Sequence, residues 1–309
     1  MRPLVLKFGG TSLGTPARMR RAARRVAAHV LRGRAVTAVV SATGHTTDRI
    51  LGWMEALGTG EGPDEHLREA DRALATGEDL AASLFAAALW REGVRAVSLR
   101  GGEAGVVAEG PFGAGRIREV QPGPLRALLA AGVVPVVAGF QGVRRDGQTV
   151  TLGRGGSDTS AVAIAAALGA PCHIVTDVEA VHACDPREDA GAPAFLHLTH
   201  AALVALAEAG ARVVHPAAAR LAETMDVPLR VYSFRAPLGG PAGTRVHTPA
   251  GAVRELERPR VARLAGFSAP DAGSAAARAG GESLAAGDPD GSGVCAVLRA
   301  PEQVDVAVS

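Results

Sequence analysis

The chain has 309 residues, 47% of them hydrophobic, with 33 Lys and Arg set against 31 Asp and Glu for a formal net charge of +2. That length suits one large α/β domain or two smaller ones, and the near-neutral balance argues against a mainly electrostatic partner such as duplex DNA. Aromatic residues are only 3% of the chain, which argues against single-stranded nucleic-acid binding by stacking.

No apolar run approaches the roughly 20 residues that span a bilayer. The start, "MRPLVLKFGG", lacks the charged region, apolar region and cleavage site of a secretory signal. Cys172, Cys184 and Cys295 are odd in number and lack metal-ligand spacing. Reduced thiols in a cytoplasmic protein are therefore expected, with no membrane partner, no nucleic acid and no protein-built metal site.

In chain order, "PLVLKF" (3–8) reads as a short buried strand ended by Gly9-Gly10-Thr11-Ser12. Residues 16–32 open with Pro16 at a first helical position and carry helix-period apolar residues. Their run of arginines, Arg18 to Arg25, reads as a solvated helix face. "AVTAVVSA" (35–42) is a second strand, followed by a polar loop "TGHTTD" in which His45 is a plain loop residue. Residues 65–92 contain helical segments, with "GED" (77–79) at the start of the second. "VRAVSL" (94–99) and "VVPVVAGF" (133–140) are further buried strands.

Two segments, 106–120 and 142–152, look like antiparallel excursions, the latter carrying the hairpin-turn pair Asp146-Gly147. A helix follows "TLGRGG", then the strand "CHIVTD" (172–177), a helix near 199–210 and the strand "VPLRVYSF" (227–234). Val/Ile-rich strands alternating with helices imply an α/β fold with a mostly parallel sheet covered on both faces, and such sheets bind ligands beyond the carboxyl ends of their strands. After about residue 250 the composition shifts. Residues 268–293 are rich in Ala, Gly, Ser, Asp and Pro with little periodicity, and read as flexible. The expected organisation is a catalytic domain over 1–250 and a short tail over 251–309.

Four stretches carry chemistry. In "KFGGTS" (7–12), Lys7 closes a buried strand, where a bare ammonium needs an anionic partner. Gly9 and Gly10 permit close backbone approach, and Thr11 and Ser12 add hydroxyls before a helix, so the parts of a phosphate site are present without a Walker A spacing. In "TLGRGGSDTS" (151–160), Arg154 offers a planar fork for a carboxylate or phosphate. Ser157 and Asp158 stand where a helix cap is expected. Alternatively, Asp158 orients a lysine, an amine or a metal. "TDVEAVHACDPR" (176–187) puts Thr176 and Asp177 at a strand end and Arg187 in a turn. "SATGHTTD" (41–48) and "GED" supply polar groups to the same edge.

In this order the stretches resemble the aspartokinases of the amino acid kinase superfamily. The resemblance covers roughly residues 3–245 and includes "VVSATGHTTD", "EAG" (103–105), "VVAGFQG" (136–142), "IVTDVEAVHACDPR" and "EAGARVVHP" (208–216). It implies a three-layer αβα sandwich around a mainly parallel sheet, with ATP and Mg²⁺ used to phosphorylate the side-chain carboxylate of L-aspartate. That reaction would be the first step of the aspartate-family pathway toward lysine and threonine. Other acceptors, such as a modified aspartate, and an idle nucleotide-binding protein on the same fold are the alternatives.

By the same resemblance, Lys7 stabilises the transferring phosphoryl group and Asp158 orients Lys7. Gly9, Gly10 and Thr11 donate to phosphates. Arg154 clamps the substrate α-carboxylate, assisted by Ser157, Ser41, Thr47 and Phe140, while Glu78 receives the ammonium. Thr176, Asp177, His182 and Arg187 belong to the nucleotide site, and Arg212 stands near the phosphates.

Five departures from the family pattern stand out. Glu179-Ala180 replaces Asp-Gly, His182 replaces a tyrosine, Arg212 a lysine, Ala81 a serine and Val150 a threonine. The first three bear on the nucleotide site, and the last two are expected to affect acceptor choice. Family members continue into two ACT regulatory domains and commonly dimerise partly through them. Here 251–309 is too short for two such modules, so an ACT remnant with weak or absent feedback is expected, and a homodimer is the assembly to test.

Overall fold

The computed structural model describes residues 2–58, 63–183, 192–211, 213–238 and 243–248. Arg187, Arg212 and the expected tail lie outside the described residues.

The chain begins with β1 (Arg2–Phe8), the short α1 (Gly10–Leu13) and α2 (Pro16–Leu31), followed by β2 (Arg34–Val40). Next come α3 (Thr46–Ala56), α4 (Asp64–Arg91) and β3 (Ala96–Leu99). An excursion, β4 (Val106–Glu109) and β5 (Arg116–Val120), precedes α5 (Gly123–Ala130) and β6 (Val134–Ala138). A second hairpin, β7 (Gln141–Val143) and β8 (Thr149–Thr151), feeds α6 (Gly156–Leu168) and β9 (Cys172–Thr176). The remainder is β10 (His197–Leu198), α7 (His200–Glu208), α8 (Pro216–Thr224), β11 (Leu229–Ser233) and β12 (Thr244–Val246).

The main sheet runs β10-β12-β11-β9-β1-β2-β6-β3, and every pairing in it is parallel except β11 with β12. The expected three-layer architecture is present. Alternation along β1 decides which layer each side chain meets. Leu4, Leu6 and Phe8 join one core with α2 and α4, whereas Val5 joins the other with α6, α7 and α8. Lys7 shares the face of Val5, so it points toward α6.

β1 has β2 on one side and β9 on the other. The chain leaves β1 toward β2 and leaves β9 toward β10 and β11 on the opposite side, and such a reversal favours a ligand crevice beyond the carboxyl ends of the two strands. Both expected excursions form antiparallel hairpins and make a second sheet, β5-β4-β7-β8, which packs on α4 and α6.

Local signals explain several boundaries. Thr15 caps α2 by accepting from the Arg18 amide at 3.2 Å, with Pro16 in the first turn. Asp146 accepts from the Gln148 amide inside the β7–β8 turn. Three expectations change. Arg25, expected on a solvated helix face, is buried on α2 and its guanidinium donates to the carbonyls of Phe234 and Ala236. Asp64–Arg91 forms one continuous helix where two segments were expected, because Gly77 is buried where a β-carbon would lie 3.0 Å from that of Ala42, and packing overrides its poor helix propensity. "TGHTTD" is only partly loop, since α3 starts at Thr46 with Asp48 in its first turn. Among the described residues no helix is long and apolar enough to cross a membrane.

Candidate active site

Parallel strands bring their carboxyl ends to one edge, and that edge gathers the sequence motifs. Gly9 follows β1, Ser41 follows β2, Gly139 and Phe140 follow β6, and Thr176 ends β9. The start of α6 arrives on the same side, because Lys7 Nζ lies 2.6 Å from Asp158 Oδ1. Both side chains are nearly covered, at 12% and 13% exposed. Oδ1 takes no hydrogen bond from any other group among the described residues. The largely covered ammonium thus has the anionic partner its position demands.

Asp158 and Ser157 do not cap α6. Gly155 occupies the cap in the left-handed region at φ 73°, without a side-chain cap, and Ser157 and Asp158 fall in the first turn. Asp158 is thereby free to serve Lys7. Gly155 is needed twice over, since a β-carbon there would lie 2.0 Å from Cγ of His215.

Gly10 lets the β1 and β2 loops meet, for a β-carbon on it would stand 2.5 Å from the Ala42 carbonyl. The Gly44 amide donates to Gly10 O at 3.1 Å. The amides of Gly10 and Thr11 open α1 and have no helical acceptor. Gly9 is already engaged, its amide 3.5 Å from Val175 O, and the Ser12 hydroxyl donates to the same carbonyl.

Glu78, on α4, is 3% exposed. Its Oε1 accepts from the Ala42 amide at 3.0 Å, while Oε2 is buried with no partner among the described residues. Burial pushes its pKa up to about 7, only partly offset by that amide. A half-satisfied buried carboxylate beside the β2 loop calls for a cation. Arg154 is the converse, an exposed guanidinium with no hydrogen bond or ion pair among the described residues. Ser157 is buried against Gly139, and Thr47 lies half-buried in the first turn of α3.

Phe140 has φ 68°, an uncommon conformation for a residue with a side chain. Two bonds hold it: its amide donates to Ser160 Oγ at 3.2 Å and its carbonyl accepts from the Leu152 amide at 2.8 Å.

Thr176 donates to Asp177 Oδ1 at 3.1 Å. His182 is committed to its own loop, with Nδ1 3.0 Å from Ala192 O and a bridge to Ala194. Of the departures, Ala81 and Val150 are wholly buried, one in each core, so they act through packing and not by touching an acceptor.

Two residues escaped the sequence reading. His215 accepts from the Ala217 amide through Nδ1 at 3.3 Å, capping α8. Burial lowers its pKa, with Asp158 pulling it back up. His215, Gly155, Asp158 and the α7–α8 connection line a cavity of about 360 Å³. Asp71 is the second, a fully buried carboxylate on α4. A histidine followed by proline is a usable sequence signal for a helix start, but nothing local tied it to Gly155.

A phosphorylated nucleotide fits these residues: amides at Gly10 and Thr11 with no acceptor among the described residues, a cavity reaching Asp158, and one largely covered lysine. No group of three or more His, Cys, Asp or Glu among the described residues could hold a metal.

The sequence pattern of the amino acid kinase family matches residues 2–233, and the chain belongs to that family. An aspartokinase of Geobacillus stearothermophilus is 42% identical over 231 residues, covering 74% of this chain and 56% of the relative. The crystal structure of aspartate kinase from Synechocystis superposes with a TM-score of 0.69 at 38% identity, covering 82% of this chain and 41% of that one. E. coli aspartokinase III in complex with aspartate and ADP gives 0.68 at 26% identity, covering 81% and 66%. The chain thus spans about half the length of the curated relatives it matches.

Proposed function

We propose that this chain catalyses ATP-dependent phosphorylation of the side-chain carboxylate of L-aspartate. The observation that carries this reading is the pairing of a largely covered Lys7–Asp158 centre with Glu78, whose Oε2 has no partner among the described residues, at one sheet edge. Aspartokinase relatives at 42% identity support the choice of acceptor.

In this reading Glu78 receives the acceptor's ammonium and Arg154 its α-carboxylate, with Ser41, Thr47, Ser157 and the strained Phe140 backbone shaping the site. The side-chain carboxylate is already ionised at neutral pH, so no general base is needed. One carboxylate oxygen forms the new bond to the γ-phosphorus as the bond from that phosphorus to the β–γ bridging oxygen breaks, leaving ADP and an acyl phosphate. Lys7 neutralises charge on the moving phosphoryl group, and Asp158 holds Lys7 in place. Gly10 and Thr11 donate amides to the phosphates. Thr176 and Asp177 border the nucleotide, and Arg187 and Arg212 are assigned to it from the sequence alone. A bound Mg²⁺ would supply further charge neutralisation between phosphates.

The test is hydroxylamine trapping of the acyl phosphate across a panel of amino-acid acceptors. Aspartate hydroxamate should form first and fastest. ADP release with no trapped hydroxamate from any acceptor would overturn the assignment.

A further inference from the structure

The helix α4 is stitched to the β7–β8 hairpin at three levels. Arg68 Nε donates to Gln148 Oε1 at 2.9 Å in the hairpin turn. Gln141 Nε2 donates to Ala75 O at 3.2 Å and Asp79 Oδ1 at 2.9 Å. Between them, Asp71, 1% exposed, accepts from the Thr151 hydroxyl at 2.6 Å, the Thr151 amide at 2.9 Å and the Gly113 amide at 3.0 Å. Thr151 ends β8, and the chain runs on through Leu152 and Gly153 directly into Arg154. The Gly115 amide donates to Thr151 O at 2.8 Å, so the 111–115 loop is drawn into the same knot.

Asp71 and Glu78 are seven positions apart on one helix. Seven residues return within about 20° of the same face, at a rise of roughly 10 Å. One rigid element therefore carries Glu78 and, through Asp71, anchors the strand that delivers Arg154. We propose that Asp71 is a positioning residue that sets the spacing between Glu78 and Arg154, and so tunes recognition of the acceptor's ammonium and carboxylate. This rests on the reading of those two residues as the acceptor clamp.

The geometry makes Asp71 specific to the acceptor half of the site. Its donors lie on β8 and the 111–115 loop, while the amides and hydroxyls assigned to the nucleotide lie after β1 and β9. Asn at this position keeps one accepting oxygen but turns an NH₂ toward donors, which breaks one side of the knot.

The experiment measures KM for acceptor and ATP, together with kcat, in wild type, Asp71→Asn, Thr151→Val and Thr151→Ser. Asp71→Asn should raise the acceptor KM about tenfold or more while ATP KM stays within about twofold, since small displacements of a clamp are costly. Thr151→Val loses the hydroxyl and should shift the acceptor KM in the same direction by less, and Thr151→Ser should restore it. Acceptor and ATP constants moving together, or Thr151→Val behaving like wild type, would overturn the proposal. If Asp71→Asn does not fold, the Thr151 pair decides. Wild-type turnover of aspartate is read in the same series. If another amino acid proves to be the acceptor, the aspartate assignment fails while the ratio for that amino acid still tests Asp71.

Discussion

Lys7, at the end of β1, and Asp158, in the first turn of α6, are separated by 151 positions in the chain and meet at 2.6 Å with both side chains largely covered. Removing either partner leaves the other charge in a poor environment, a loss of up to about 3–5 kcal/mol for a fully buried pair. The small remaining exposure here makes the loss smaller. Lys7→Ala should lower kcat by at least about 10²–10³-fold, as when one charge-stabilising donor is removed from an active site. Asp158→Asn should lower kcat in the same direction with a smaller change in ATP KM. Steady-state kinetics with circular dichroism as a check on folding measures both, and appreciable residual activity in Lys7→Ala would remove it from its role.

Glu78 makes a pH prediction with a definite sign. A carboxyl with a folded pKa of about 7 and an ordinary value of 4.5 holds its proton more tightly in the folded state. Its contribution to stability is present below about pH 4.5 and is lost as pH rises through about 7, by something on the order of 3 kcal/mol. Glu78→Gln cannot titrate, so its Tm should gain on wild type as pH rises across that window. Acceptor binding needs the ionised form and should tighten over the same range in wild type. Glu78→Gln should raise the aspartate KM about tenfold or more. Parallel melting curves for the two proteins from pH 4.5 to 8 would count against the assignment.

Gly155 and His215 should show coupling. Gly155→Ala forces a side chain into a left-handed conformation, at about 1–2 kcal/mol, and drives its β-carbon into the His215 ring. It should therefore lose both stability and activity. His215→Ala removes the ring, so the double variant should be more stable than additivity from the single variants allows. Chemical denaturation of the four proteins measures that coupling, and strict additivity would mean the ring yields without cost.

Much of the site was legible because its parts are local. The strand-ending Lys7 with two glycines, the "GRGGSD" turn and the Thr176-Asp177 strand end each announce themselves within a few residues. Alternating β-rich and helical runs were enough to imply a parallel sheet, and a parallel sheet places strand ends together. The glycine at 77 misled the helix boundary because propensity is a weak prior against packing at Ala42. α8 carried too short a signal, although Pro216 and His215 mark its start.

What the amino-acid sequence determined alone was which groups exist at the edge and that Lys7 shares a face of β1 with Val5, since both follow from turn chemistry and strand period. What only the tertiary structure decided was the geometry of each partnership, including the Lys7–Asp158 contact that the resemblance implied. Asp158 leaves capping to Gly155 and turns to Lys7, Glu78 reaches the β2 loop with one oxygen unpartnered among the described residues, and Asp71 grips Thr151 from 80 positions away. These pairings depend on helices docking across sheets, and the energy of desolvating each charge selects them only once the core has closed around it.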